Sequence, residues 1–156
     1  MFKKLFVPSD DSDLTHMALL VARLWFGLTM LFNHGFYKLA HFSDIVAGTD
    51  PLIKFQDPLR LGLEASLVLV IFAEVLGALL LTVGFMTRVA AAVLVIDMFV
   101  AFLMVHKAGM TGQSSGEMAF LYLAGFVTLA IAGGGLFSLD TLAFSKSGRS
   151  RIQKHD

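Results

Sequence analysis

The sequence predicts an all-α integral membrane protein, a four-helix bundle with short turns between its helices. Hydrophobic residues make up 56% of the 156-residue chain and charged residues only 15%, which is unusual for a soluble domain. The apolar residues form four blocks, and each is long enough, at about 1.5 Å per residue, to cross a hydrocarbon core of about 30 Å. The three prolines lie outside these blocks or at their edges. A single transmembrane domain, residues 14–140, is therefore predicted.

Composition also limits the chemistry of the chain. There are no cysteines, so disulfides, thiol relays and cysteine-ligated clusters are excluded. The formal net charge is zero, and no CxxCH, GxGxxG or P-loop pattern occurs. We therefore predict no intrinsic cofactor and no nucleic-acid partner, and membrane lipid is the expected surrounding.

The first apolar block, about residues 14–39, follows the N-terminal segment 1–13. That segment has two lysines, but its apolar run is only Leu-Phe-Val before Pro8 and an acidic cluster. It lacks the apolar core and the small-residue cleavage site of a signal peptide. We expect the first helix to remain in the mature protein, with segment 1–13 in the cytoplasm.

The second and third blocks are predicted as helices over about 58–84 and 88–106. Asp57 and Pro58 form a typical helix start, since proline is well tolerated at the first helical position. The turn Gly84-Phe-Met-Thr-Arg88 is too short for anything but antiparallel neighbours.

The fourth block, about 117–136, carries no charge from Met118 to Phe137. A Gly/Ser loop precedes it, and a basic tail, 141–156, follows the domain. The longer connection 40–57 is half apolar, and the sequence leaves two alternatives open for it. It is either a short interfacial helix over the mouth of the bundle or a mobile loop.

Lysine and arginine counts predict the orientation. With both termini in the cytoplasm, seven of these residues lie inside: Lys3, Lys4, Arg88, Lys146, Arg149, Arg151 and Lys154. Four then lie outside: Lys38, Lys54, Arg60 and Lys107. The bias favours N-in and C-in, with the basic tail near anionic lipid.

The first helix carries an unusual polar face. Residues Arg23, Gly27, Met30, His34 and Lys38 fall on one side of it at helical spacing. A charge inside a membrane span is costly and normally faces a partner or a cavity. This face should therefore point into the bundle.

Depth counting places three charges in one layer. Arg23, Glu74 and Asp97 each lie nine or ten residues from the predicted cytoplasmic end of their helix, or about 14 Å. We predict that they share a layer near the midplane. Two interpretations remain: a static ion pair that fixes helix register, or a site for a proton or ligand.

A second polar layer is predicted near the outer face, where Glu64, His106 and Glu117 form a rim with His34 and Lys38. No HxxxH or ExxH spacing is present, so we predict no metal site. His34 and Lys38 are four residues apart on the inward face and could donate hydrogen bonds to a lipid headgroup or a quinone carbonyl. The alternative is a snorkelling lysine and a capped histidine.

Three stretches of the chain resemble one family, the DoxX proteins. Its first helix is similar to ARLWFGLTMLFNHGFYKL, its second helix and turn to AEVLGALLLTVGFMTRVAA, and the end of its fourth helix to GGGLFSLD. Together the matches extend over residues 17–140. The resemblance implies a small multi-pass protein of the bacterial inner membrane. It also implies relatives that are subunits of thiosulfate:quinone oxidoreductases and others in redox or detoxification systems.

Two functions therefore compete. In the first, the chain is the membrane subunit of a quinone-linked oxidoreductase, binding quinone through Arg23, His34 and Lys38 and working with a redox partner protein. In the second, it is a non-catalytic scaffold, or a carrier of small solutes or protons. The sequence leaves open whether the chain is itself catalytic and whether it forms a homo-oligomer.

The orientation can be tested with single cysteines at positions 2, 48, 112 and 152, because the chain has none of its own. An impermeant thiol reagent applied to intact cells should modify only positions 48 and 112. Labelling at position 2 or 152 from outside would contradict the N-in, C-in arrangement.

Overall fold

The computed structural model describes residues 12–112 and 115–144. All regular structure within these residues is helical, which confirms the predicted all-α class. Most of the predicted N-terminal segment and of the basic tail lies outside the described residues.

The described chain contains four long helices and a short one: α1 (Asp13–Ala40), α2 (Phe42–Ala47), α3 (Leu63–Val83), α4 (Thr87–Val105) and α5 (Glu117–Ala132). Residues 139–144 are also helical. By length and composition, α1, α3 and α4 could each cross a membrane. Helix α5 is also apolar but has only 16 residues. The described residues thus form a helical bundle with three helices of membrane-spanning length.

Helix α3 begins at Leu63, so the predicted start at Asp57-Pro58 is wrong. Gly62, at φ +96°, separates the preceding turn from the helix. The Asp57 carboxylate accepts hydrogen bonds from the Ser66 hydroxyl at 2.6 Å and from the Gly62 amide at 2.8 Å. These bonds, of which the one from the Ser66 hydroxyl has the largest effect, hold the pKa of Asp57 below its ordinary value. Asp57 therefore caps a turn before the helix rather than the helix itself.

Helix α5 ends at Ala132, four residues before the predicted end at 136. Gly133 follows it at φ +83°, a backbone conformation that glycine adopts readily because it has no Cβ atom and that departs from the helical path. The first of three consecutive glycines therefore ends α5.

The connection between α1 and α3 contains α2, which confirms the short-helix alternative for residues 40–57. Ile45 of α2 packs against Leu67 and Ile71 of α3 in a separate small core. Farther along, the Asp50 carboxylate accepts hydrogen bonds from the Tyr37 hydroxyl at 3.1 Å and the Ile53 amide at 2.6 Å. The connection is thus held against both neighbouring helices.

Close packing of α1 on α3 fixes the register of the bundle. A Cβ atom at Gly27 would lie only 2.2 Å from Oγ1 of Thr82, and one at Gly35 would lie 3.0 Å from the carbonyl oxygen of Glu74. Gly27, which has no side chain, therefore allows the two helices to approach closely.

Each helix of membrane-spanning length contains one widened, π-type turn: Leu31–Gly35 in α1, Ala73–Gly77 in α3 and Ala101–Val105 in α4. Such turns accommodate an extra residue and are frequent at functional sites. Two of them meet directly, because Gly35 lies against Glu74.

The Gly27 contact yields a stability prediction. Gly27→Ala should destabilise the protein by about 1–3 kcal/mol, because the new methyl group would overlap the Thr82 hydroxyl. Adding Thr82→Ala removes that hydroxyl and should recover part of the loss. Unfolding in detergent, followed by circular dichroism, measures both variants. Purely additive losses would contradict this account of the packing.

Candidate ligand-binding site

An ion pair between α1 and α3 lies at the centre of the site. Nζ of Lys38 binds Oε1 of Glu74, and the two side chains are only 13% and 2% exposed. Lys38 lies in the last turns of α1, and Glu74 lies in the widened turn of α3. Because the two charges neutralise each other, both side chains can be buried in a bundle that has few other polar groups.

Asp97 of α4 adds a second carboxylate to this pair. It lies close enough to interact electrostatically with both Glu74 and Lys38. Oδ2 of Asp97 and Oε2 of Glu74 are buried and have no hydrogen-bond partner among the described residues. With all three groups ionised, two carboxylates and one ammonium leave one excess negative charge.

These three groups lie at the floor of a cavity of about 570 Å³. Its walls are apolar side chains of α3 and α4, and residues 52–56 with Pro58 and Leu59 of the preceding connection also line it. The wall residues Leu69, Phe72 and Ile96 are 53%, 58% and 65% exposed. Because these side chains also form the outer surface of the bundle, the cavity opens on its flank.

The structure does not place Arg23 in one layer with Glu74 and Asp97. Arg23 is fully buried, and its Nη2 donates a hydrogen bond to the carbonyl oxygen of Phe137 at 2.5 Å. A Cβ atom on Gly84, at the α3–α4 turn, would lie only 1.8 Å from Nη1 of Arg23. Arg23 thus lies at one end of the bundle, and Lys38 occupies the position expected for it.

The error has a geometric cause. The depth count assumed that the predicted ends of the helices are level with one another. Because Arg23 lies beside Gly84, the residues of α1 that precede it extend past the α3–α4 turn. Ten residues of α1, from Asp13 to Ala22, form this extension, which at about 1.5 Å per residue is some 15 Å long.

Asp140, which the sequence did not single out, organises the same end of the bundle. Its carboxylate accepts hydrogen bonds from the amides of Met86 and Thr87 at 2.6 and 2.9 Å and from the Thr87 hydroxyl at 2.7 Å. Burial opposes ionisation of Asp140, but these bonds and the nearby Arg23 hold its pKa below the ordinary value. Asp140 therefore caps α4 from a distant part of the chain.

His34 and Lys38 do not converge on one site as predicted. The His34 ring packs edge-on against Tyr122 of α5, with 5.4 Å between ring centroids, and it does not line the cavity. The widened turn Leu31–Gly35 changes the angle between His34 and Lys38 from that of an ideal helix. Only Lys38 of this pair reaches the cavity.

The residues of the predicted outer rim do not all lie together. His106 lines the cavity, whereas Glu64 and Glu117 are exposed at the starts of α3 and α5. No group of three or more histidine, aspartate or glutamate residues within the described part of the chain is arranged to hold a metal ion. The polar floor of the cavity, rather than the rim, is the candidate site.

Comparison with known proteins identifies the family. The DoxX family model matches residues 18–107, which include Lys38, Glu74 and Asp97. The chain belongs to the DoxX family. It is also 30% identical over 122 residues to an uncharacterized protein of Haemophilus influenzae, covering 75% of this chain and 84% of that protein. No solved structure matches the chain significantly.

Family membership confirms the resemblance that the sequence motifs indicated, and with the apolar helices it supports a membrane protein.

The sequence did not predict the pairing of Lys38 with Glu74. The available signal was that Lys38 lies on the same helical face as Arg23 while Glu74 is the charge within the second apolar block.

The ion pair can be tested by removing one partner. Lys38→Met leaves the Glu74 carboxylate buried and unpaired, so the free energy of unfolding should fall by about 3–5 kcal/mol. Combining it with Glu74→Gln should recover much of this loss. Unfolding in lipid–detergent micelles measures the cycle, with Lys107→Met, at an exposed lysine beyond α4, as the control.

Strict additivity of the Lys38 and Glu74 substitutions would show that the two side chains do not interact in the membrane. The control should change the free energy of unfolding by no more than about 0.5 kcal/mol.

Proposed function

We propose that this DoxX-family protein binds a bilayer-soluble small molecule in the cavity above Lys38, Glu74 and Asp97. One observation carries the proposal: a cavity of about 570 Å³ with apolar walls, an ionic floor and an opening on the flank of the bundle. Small-molecule sites are typically concave and mostly apolar, with a few convergent polar groups. A flank opening suits a ligand that enters from the lipid.

We further propose that the chain crosses a bacterial inner membrane four times, with both termini in the cytoplasm. Helix α5 has 16 residues and is thus about 24 Å long, somewhat shorter than a typical hydrocarbon core. It runs antiparallel to α4, since Gly116 before it lies near Phe102 and Gly133 after it lies near Arg88. The lysine and arginine distribution supports the orientation.

A quinone is the first ligand class to test. The Lys38 ammonium has three N–H donors and uses at least one on Glu74, so it can also bind a carbonyl oxygen. The apolar walls suit the ring and tail of a quinone. In this function the chain is the membrane subunit of an oxidoreductase, and a partner protein supplies the electron-transfer group.

The carrier alternative has support of its own. Two carboxylates beside one ammonium can take up and release a proton or a positively charged solute. Flux through liposomes that contain the purified protein would favour the carrier, whereas co-purification of a redox protein would favour the oxidoreductase subunit.

Filling the cavity tests the proposed site. Ala101 of α4 lines the cavity, whereas Ala92 of the same helix is exposed on the surface of the bundle. Ala101→Phe should weaken binding of a short-chain quinone by at least tenfold, since the ring takes up ligand volume. Ala92→Phe, the matched control, should leave binding unchanged. Calorimetry on protein in lipid nanodiscs provides the measurement.

Equal affinities of the two alanine variants would place any bound quinone outside the cavity. Absence of quinone binding by the unsubstituted protein would remove the quinone but leave other bilayer-soluble ligands to be tested.

A further inference from the structure

The cavity floor is unbalanced in charge. Lys38 already pairs with Glu74, and the other basic residues that line the cavity in the described part of the chain are Lys54 and His106. Lys54 is exposed on the connection before α3, where water screens its charge. Among the described residues, the carboxylate of Asp97 therefore forms no ion pair of its own.

The floor is also unbalanced in hydrogen bonding. Oε2 of Glu74 belongs to a residue that is only 1% exposed, and it lacks a donor, as does Oδ2 of Asp97. A buried acceptor without a donor costs about 1–3 kcal/mol, and more if it is charged. Both oxygens belong to residues that line the cavity, so a ligand there could satisfy them.

We propose that the cavity binds a bilayer-soluble organic cation, with its positive charge against Glu74 and Asp97 and its apolar groups along the walls. The proposal rests on the proposed function of the cavity and adds the class of ligand. When both carboxylates are ionised, a neutral ligand leaves one excess negative charge unbalanced. A cation removes it, since a buried charge is tolerated when it is paired.

The walls fit an organic cation better than a metal ion. Phe55 and Phe72 line the cavity, and aromatic faces attract organic cations. A hard divalent ion needs six or more oxygen ligands, or several retained waters. The ammonium of Lys38 would also repel such an ion.

Two probes of the same shape and opposite charge distinguish the effect of ligand charge from the effect of ligand shape. Tetraphenylphosphonium is a bilayer-soluble cation, and tetraphenylborate is its anionic counterpart. We expect the protein, in nanodiscs of zwitterionic lipid, to bind the phosphonium at least tenfold more tightly than the borate. Empty nanodiscs give the background partitioning of each ion.

Asp97→Asn tests the assignment to the floor. The substitution preserves shape and leaves the Lys38–Glu74 pair in place, so the protein should fold. It should weaken phosphonium binding by at least tenfold. Glu64→Gln is the matched control, because it removes a carboxylate that is exposed at the start of α3, and it should leave binding unchanged.

Each remaining outcome has one meaning. Equal binding of the two ions above background, or undiminished phosphonium binding by folded Asp97→Asn, would overturn the cation proposal. Quinone binding that Ala101→Phe weakens, without phosphonium binding, would also overturn it and leave the proposed function intact. If neither the phosphonium nor the quinone binds, the cation proposal and the quinone assignment both fail.

Discussion

The burial of Lys38 against Glu74 is the interaction on which the arrangement of the bundle depends. Each charge alone would be costly in an apolar surrounding, so α1 and α3 must keep the register that joins them. Gly35 allows the backbones to approach at this level, and the widened turns there give each helix its local path. Asp97 then meets a pair that is already neutral, so α4 is the source of the unbalanced charge.

At the opposite end of the bundle, the charged side chains bind backbone groups rather than each other. Arg23 and Asp140 both act on the backbone, the first through the carbonyl of Phe137 and the second through the amides at the start of α4. Backbone groups left over at helix ends need partners, and in this protein two charged side chains serve them. One end of the bundle is therefore closed by hydrogen bonds, while the other contains the cavity.

Much of the fold followed from the sequence because apolar blocks of this length have few alternatives to helices. The site followed less well. The depth counts assumed that the ends of the apolar blocks lie at the same depth in the membrane. That assumption separated Lys38 from Glu74 and placed Arg23 beside Glu74. The widened turn at Leu31–Gly35 also changed the angle between His34 and Lys38, and helical spacing alone does not reveal such a turn. Asp140 was missed because its partners lie more than fifty residues away.

The unequal lengths of α1 and α5 bear on the lipid around the protein. Helix α1 has 28 residues and α5 has 16, a difference of 12 residues or about 18 Å along a helix axis. In the proposed topology, lipid beside α5 meets a much shorter apolar surface than lipid beside α1. The bilayer must thin along one flank, or the long helix must tilt, and either adjustment costs free energy. Membrane thickness thereby becomes a variable to which the protein's stability responds.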